Sequence, residues 1–155
     1  TIQATPEEQN PCLHVAYRRR ADAGWKGSWD RDPDFLASIR RYIESSAKIM
    51  AGLDAQVRGV LSAGEPIVVW GTGQLAMKLL CHTALGEARI TAFVDGNPIK
   101  TGKRLRGVPV VGPSALATVD PETPILITSM RREQEIRREL AAIGLPNPVF
   151  GLTGV

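Results

Sequence analysis

Two glycines that could turn the chain sharply, and an acid that could meet a hydroxyl pair, mark one stretch of this 155-residue sequence. Gly71-Thr72-Gly73-Gln74-Leu75-Ala76 follows the apolar run Ile67-Val-Val-Trp70. A buried strand that runs into a tight glycine turn and then a helix leaves backbone N–H groups unpaired and pointing outward, a setting that suits a phosphate or pyrophosphate. Gly71 permits the turn, Gly73 lets an anion approach the backbone, and Ala76 lets helix and strand pack closely. The next apolar run, Ile90-Thr-Ala-Phe-Val94, ends in Asp95. An acid at the tip of a second strand, about 20 residues beyond the first glycine, is where a dinucleotide-binding unit hydrogen-bonds a ribose. The competing reading of Asp95-Gly-Asn97-Pro98 is turn chemistry with no ligand.

Cations gather close by. Lys100, Lys103, Arg104 and Arg106 share one polar loop with Asn97. They either grip a phosphate or sugar nucleotide or are solvated loop charges. Ser129 ends a later apolar run, where it faces the same edge or caps the helix that follows. Groups for acid–base or nucleophilic work are scarce. The sequence holds two histidines, His14 and His82. His82 falls on a crossover helix, away from the expected ligand edge. No Gly-x-Ser-x-Gly elbow, phosphate-loop lysine or metal-type cluster is found.

The elements that would hold these groups alternate strand with helix. Residues 1–32 are mixed: Leu13, Val15 and Tyr17 alternate as in a short strand, and 21–32 read as irregular. A long helix is expected over 33–64, with Asp32 as its cap and Pro33 and Asp34 in its first turn. Ile39, Ile43, Ser46, Met50, Leu53, Val57 and Val60 recur in steps of four and three, a heptad stripe. Such a helix is roughly 45 Å long, more than one sheet covers, so it either packs on its own domain or meets a partner with one end: a second chain through 35–61, or a further domain.

Residues 65–155 read as one α/β domain. A strand at 66–70 leads to a helix at 73–85 with Leu75, Leu79, Leu80 and Thr83 inward. A strand at 89–95, a polar loop over 96–107 and a short strand at Val108–Val111 follow. One or two helical turns fit 113–118, a strand 124–128, a helix 131–143 and a last strand 148–150. Strands joined by crossover helices make a parallel sheet with right-handed connections. The expected fold is therefore a three-layer Rossmann-like sandwich with strand order 3-2-1-4-5, its glycine turn at the switch point where ligands of such sheets bind.

Composition excludes several classes. At 43% hydrophobic and 23% charged the chain has an ordinary globular make-up rather than that of a disordered tail. A net charge of +3, spread over several segments, gives no case for nucleic acid. No apolar run is long enough to span a membrane, and no leader pattern opens the sequence. Cys12 and Cys81 lie far apart, as two reduced thiols of a cytoplasmic protein would.

A wider pattern links these pieces: Ser38-Ile39, Tyr42-Ile43 and Ser45-Ser46, then Pro66-Ile-Val-Val-Trp-Gly-x-Gly-Gln74, then Ala92-Phe-Val-Asp-x-Asn-Pro98. Gly107-Val-Pro-Val-Val-x-Pro113, Ile125-Leu-Ile-Thr-Ser129 and a charged helix with Glu135-Ile136 complete it. From 35 to 152 the chain resembles the C-terminal domain of bacterial class I S-adenosylmethionine-dependent methyltransferase-type proteins, related to that of sugar C-methyltransferases. It is also similar to the nucleotide-sugar-binding domains that precede hexapeptide-repeat acyltransferases. The resemblance implies a non-catalytic accessory domain that holds part of a sugar nucleotide or docks a neighbouring domain. An adenosylmethionine turn needs an acid before Gly-x-Gly-x-Gly, whereas Trp70 precedes Gly71 and Leu75 takes the third glycine position. The methyl donor would thus sit on an upstream methyltransferase domain, with no cofactor on this chain. Two alternatives stay open: an NAD-binding redox domain using the turn and Asp95, and a structural dimerisation module.

Overall fold

The computed structural model describes residues 33–61 and 64–152. Helix α1 (Pro33–Val60) leads into strand β1 (Pro66–Trp70) and helix α2 (Gln74–His82). A short 3-10 turn (Ala84–Glu87) precedes β2 (Arg89–Val94). Then come β3 (Arg104–Leu105), β4 (Val108–Val111) and a 3-10 segment at Pro113–Thr118. Strand β5 (Ile125–Ile127), a 3-10 turn (Met130–Arg132), helix α3 (Glu133–Ile143) and β6 (Val149–Phe150) complete the chain.

The six strands lie in the order β3-β4-β2-β1-β5-β6. Every neighbouring pair is parallel except β3 with β4. The order expected from sequence lacks the edge strand β3, which lies inside the segment read as a polar loop. Two residues with positive φ make that strand possible: Arg106 (φ 51) and Gly107 (φ 83) form a tight reversal between Leu105 and Val108. This is the hairpin geometry that matches strand twist. Arg104 Nη1 donates to Gly107 O at 2.6 Å and Arg106 Nη1 to Leu80 O at 3.0 Å, so both loop cations serve the hairpin.

The sheet is covered on both faces, and the side-chain alternation of each strand divides the core. Ile67 and Val69 of β1 join Leu53 and Val57 of α1 and Leu79 of α2. Val68 and Trp70 face the other way, against Ile136 and Leu140 of α3 and Leu116. Burial on both faces explains why β1 reads as a continuous apolar run rather than an alternating one. Each such aliphatic side chain contributes about 1.5–3 kcal/mol relative to exposure.

The heptad stripe of α1 splits in two. Leu53 and Val57 are core residues and Met50 and Val60 pack against them. Ile43, Ile49 and Tyr42 stay exposed. Helix α2 is shorter than expected because Thr83 leaves the helix and caps the next 3-10 turn with its hydroxyl. Likewise α3 starts two residues late, after a 3-10 turn. The strand expected at Leu13–Tyr17, the irregular segment 21–32, the Asp32 cap, Cys12 and His14 fall outside the described residues. Among the described residues no helix is long and apolar enough to cross a membrane.

Candidate functional site

A cleft of about 380 Å³ opens at the carboxyl ends of β1 and β5. Strand β1 is hydrogen-bonded to β2 on one side and β5 on the other, so the chain's crossovers diverge there. This is the switch point at which open α/β sheets bind ligands. Gly71, Thr72, Gly73 and Gln74 form one wall, Asp95 and Lys100 a second, and Thr128, Ser129, Arg131 and Arg132 a third.

The two glycines of the turn have different reasons to be glycine. Gly71 has φ 114, and a Cβ there would lie 2.7 Å from Thr128 Oγ1. Its N–H extends the sheet by donating to Val94 O at 2.7 Å. Thr128 braces the turn from the other side. It is 4% exposed, and its hydroxyl donates toward Trp70 O at 3.0 Å, with Gly71 O at 3.3 Å. Gly73 is extended (φ −86), and a Cβ there would meet nothing within 4 Å. It caps α2 without any side-chain hydrogen bond. The first bond of the helix runs from Met77 N to Gly73 O. The preceding amides of the first turn therefore have no intrahelical acceptor, and the positive end of the helix dipole faces the cleft.

Asp95 is the most connected side chain of the site. Its Oδ2 accepts the Thr72 amide at 3.2 Å, the Thr72 hydroxyl, and Lys100 Nζ at 2.9 Å. Its Oδ1 accepts the Asn97 amide at 3.0 Å. Three donors crowd onto Oδ2, while Oδ1 accepts one. Burial acts to raise this carboxyl. The hydrogen bonds from Thr72, Lys100 and the Asn97 amide, with the charge of Lys100, outweigh it and hold Asp95 below the usual carboxylate range. A ribose diol that reaches Oδ2 of Asp95 would have to displace Thr72 or Lys100.

The sequence-expected residues divide accordingly. The cleft brings together Gly71, Thr72, Gly73, Gln74, Asp95, Lys100 and Ser129. Asn97, Lys103 and Arg104 do not line it. Asn97 shapes the loop, its side-chain oxygen accepting the Ile99 amide at 3.0 Å. Lys103 pairs through its backbone with Val110 and Lys100. Ser129 makes no capping hydrogen bond, contrary to the simpler of its two expected roles.

Arg131 and Arg132 are cleft residues that sequence reasoning placed on a helix instead. The available signal was their position just after the β5 run and Ser129. Arg132 forms a two-pronged pair with Glu135, at 2.9 Å for each contact. That pair raises the guanidinium above its ordinary value, with a weaker contribution from Asp95 across the cleft. The lining contains no histidine or cysteine. His82 lies instead in a separate groove with Tyr42, Met50 and Lys78. Among the described residues no cluster of metal-ligating side chains occurs. The arrangement offers amides, a helix dipole and cations to an anion.

No curated protein matches the chain. A family model described as C2185-like, N-terminal matches residues 64–148, the stretch that includes the glycine turn, Asp95, Lys100 and both cleft arginines, and the chain belongs to that family.

Proposed function

We propose that this domain recognises a phosphate-bearing small molecule of the sugar-nucleotide kind, and does so without catalysing a reaction itself. The carrying observation is the uncapped start of α2, which faces a cleft that also holds Lys100 and Arg132. The cleft volume lies within the ordinary range for small-molecule sites. A phosphate would take the first-turn amides of α2 and the two cations. The sugar-nucleotide class comes from the sequence resemblance to methyltransferase-type C-terminal domains. On that reading the methyl donor belongs to a separate upstream domain. NAD is the weaker ligand, because the acid that would hold its ribose is engaged elsewhere.

A thermal-shift panel of UDP-, GDP- and dTDP-sugars, NAD, NADP and S-adenosylhomocysteine tests the reading. A ligand at 100 times its dissociation constant adds about 2.7 kcal/mol, an easily read shift. Stabilisation by sugar nucleotides above that by NAD supports the proposal. A response to NAD alone turns it toward redox chemistry.

One observation favours a second role, self-association through α1. Ile39, Tyr42, Ile43 and Ile49 are 39–73% exposed on one helix. In an antiparallel pair centred between Glu44 and Ser45, Ile39 meets Met50 of the second copy and Ile43 meets Ser46. Arg40 then faces Ile49 rather than another arginine. Sedimentation equilibrium should show a dimer that Ile43→Asp dissociates, and a monomer at every concentration would end this reading.

A further inference from the structure

We infer that the Asp95 carboxylate is a built-in counter-anion, occupying donors that a ligand phosphate would use, so that the cleft takes its ligand by exchanging one anion for another. The inference rests on the phosphate-binding reading and specifies its ligand class. Three donors converge on a single oxygen, Asp95 Oδ2: the Thr72 amide at the centre of the glycine turn, the Thr72 hydroxyl, and Lys100 Nζ. A backbone N–H at a glycine turn, a hydroxyl and a lysine are a phosphate-binding set in chemical type. Here they hold a carboxylate that comes from the end of β2 and is 13% exposed at its side chain. Arg132, on the facing wall, lies within the field of the same charge.

Two consequences follow for the ligand. A neutral diol offers no charge to replace that of Asp95, so it cannot draw Lys100 away. A single carboxylate gains little over the one already present. A pyrophosphate, with several oxygens and more than one charge, reaches the α2 amides and Arg132 together and competes for Lys100. The cleft therefore selects for multiply charged phosphates. Asp95 is a specificity-determining residue that weakens anion binding, the opposite of a ribose-holding acid.

Calorimetric titration of the full chain with inorganic pyrophosphate at low salt separates the cases. Asp95→Asn removes the charge and keeps an acceptor for Thr72. Asp95→Ser is a second variant if the first does not fold, and Glu65→Gln, at the opposite end of β1, controls for net charge. The expected result is that pyrophosphate binds Asp95→Asn about tenfold more tightly than the wild type, with Glu65→Gln unchanged. Equal affinity of wild type and Asp95→Asn, or an equal gain in Glu65→Gln, overturns the inference and leaves the phosphate-binding reading standing. No binding to either the wild type or the Asp95 variants overturns the reading itself, and the inference with it.

Discussion

Replacing Gly71 with alanine is expected to strain the turn on two independent counts. Its φ of 114 lies where L-residues rarely go, and holding a non-glycine residue there costs about 1–3 kcal/mol. The new Cβ would also sit 2.7 Å from Thr128 Oγ1. Relieving that contact rotates the hydroxyl away from Trp70 O, a buried hydrogen bond with a net contribution of about 0.5–1.5 kcal/mol. Together Gly71→Ala should lose about 2–4 kcal/mol, a large share of the 5–15 kcal/mol typical of a domain. Gly73→Ala is the internal comparison: its φ is −86 and its Cβ position is open, so it should change stability by no more than about 0.5 kcal/mol. Urea unfolding of both variants, followed by far-UV circular dichroism, reads the difference through the midpoint at constant slope. In a Thr128→Ala background, where that hydroxyl is already gone, Gly71→Ala should lose the backbone part alone. Equal losses for Gly71→Ala and Gly73→Ala would refute the division of labour between the two glycines.

Three further outcomes are expected. Asp95 is held below its ordinary range, so the stability it contributes is present above the unfolded carboxyl value of about 3.9 and is lost as pH falls through the folded value. The stability gap between wild type and Asp95→Asn, measured from pH 7 to pH 2, should therefore shrink in acid, and a gap that widens in acid would contradict the network. Gly107→Val places a β-branched residue at φ 83 in the β3–β4 turn and should cost about 1–2 kcal/mol in the same urea assay, with faster amide exchange at Val108 and Val110. Gly151→Ala would drive a Cβ into the carboxylate of Glu133, which is 5% exposed and held by Arg137 at 2.9 Å. A loss of at least about 2 kcal/mol is expected, and an unchanged melting temperature would mean that Glu133 can move aside.

The central layer of the fold was legible because burial on both faces leaves a plain signature. Val68 and Val69 sit inside an unbroken apolar run, and Gly71 ends it with a turn that few other residues tolerate. The short strand β3 was not legible. Arg104-Leu105 is polar and half exposed, and its pairing depends on a positive φ at Arg106, a residue whose type does not announce it. The same limit governs the site. Gly71, Thr72, Gly73 and Asp95 declare themselves by their places at strand ends. Lys103 and Arg104 shared a charge cluster with Lys100, yet spacing alone could not tell which cation turns toward the cleft. The hairpin takes Arg104 and Arg106, and the backbone ladder fixes Lys103. Arg131 and Arg132 were hidden by a boundary: a 3-10 turn precedes α3, so both fall just after β5, where they line the cleft.

The most direct test of the account is a titration of the wild type and Gly73→Glu with UDP-glucose, read by thermal shift. Gly73 has open space in front of it, so the glutamate should leave the fold intact while placing bulk and negative charge at the start of α2. The nucleotide should stabilise the wild type and not the variant, at unchanged ligand-free melting temperatures. Equal stabilisation of both proteins would place the ligand elsewhere and contradict the central claim.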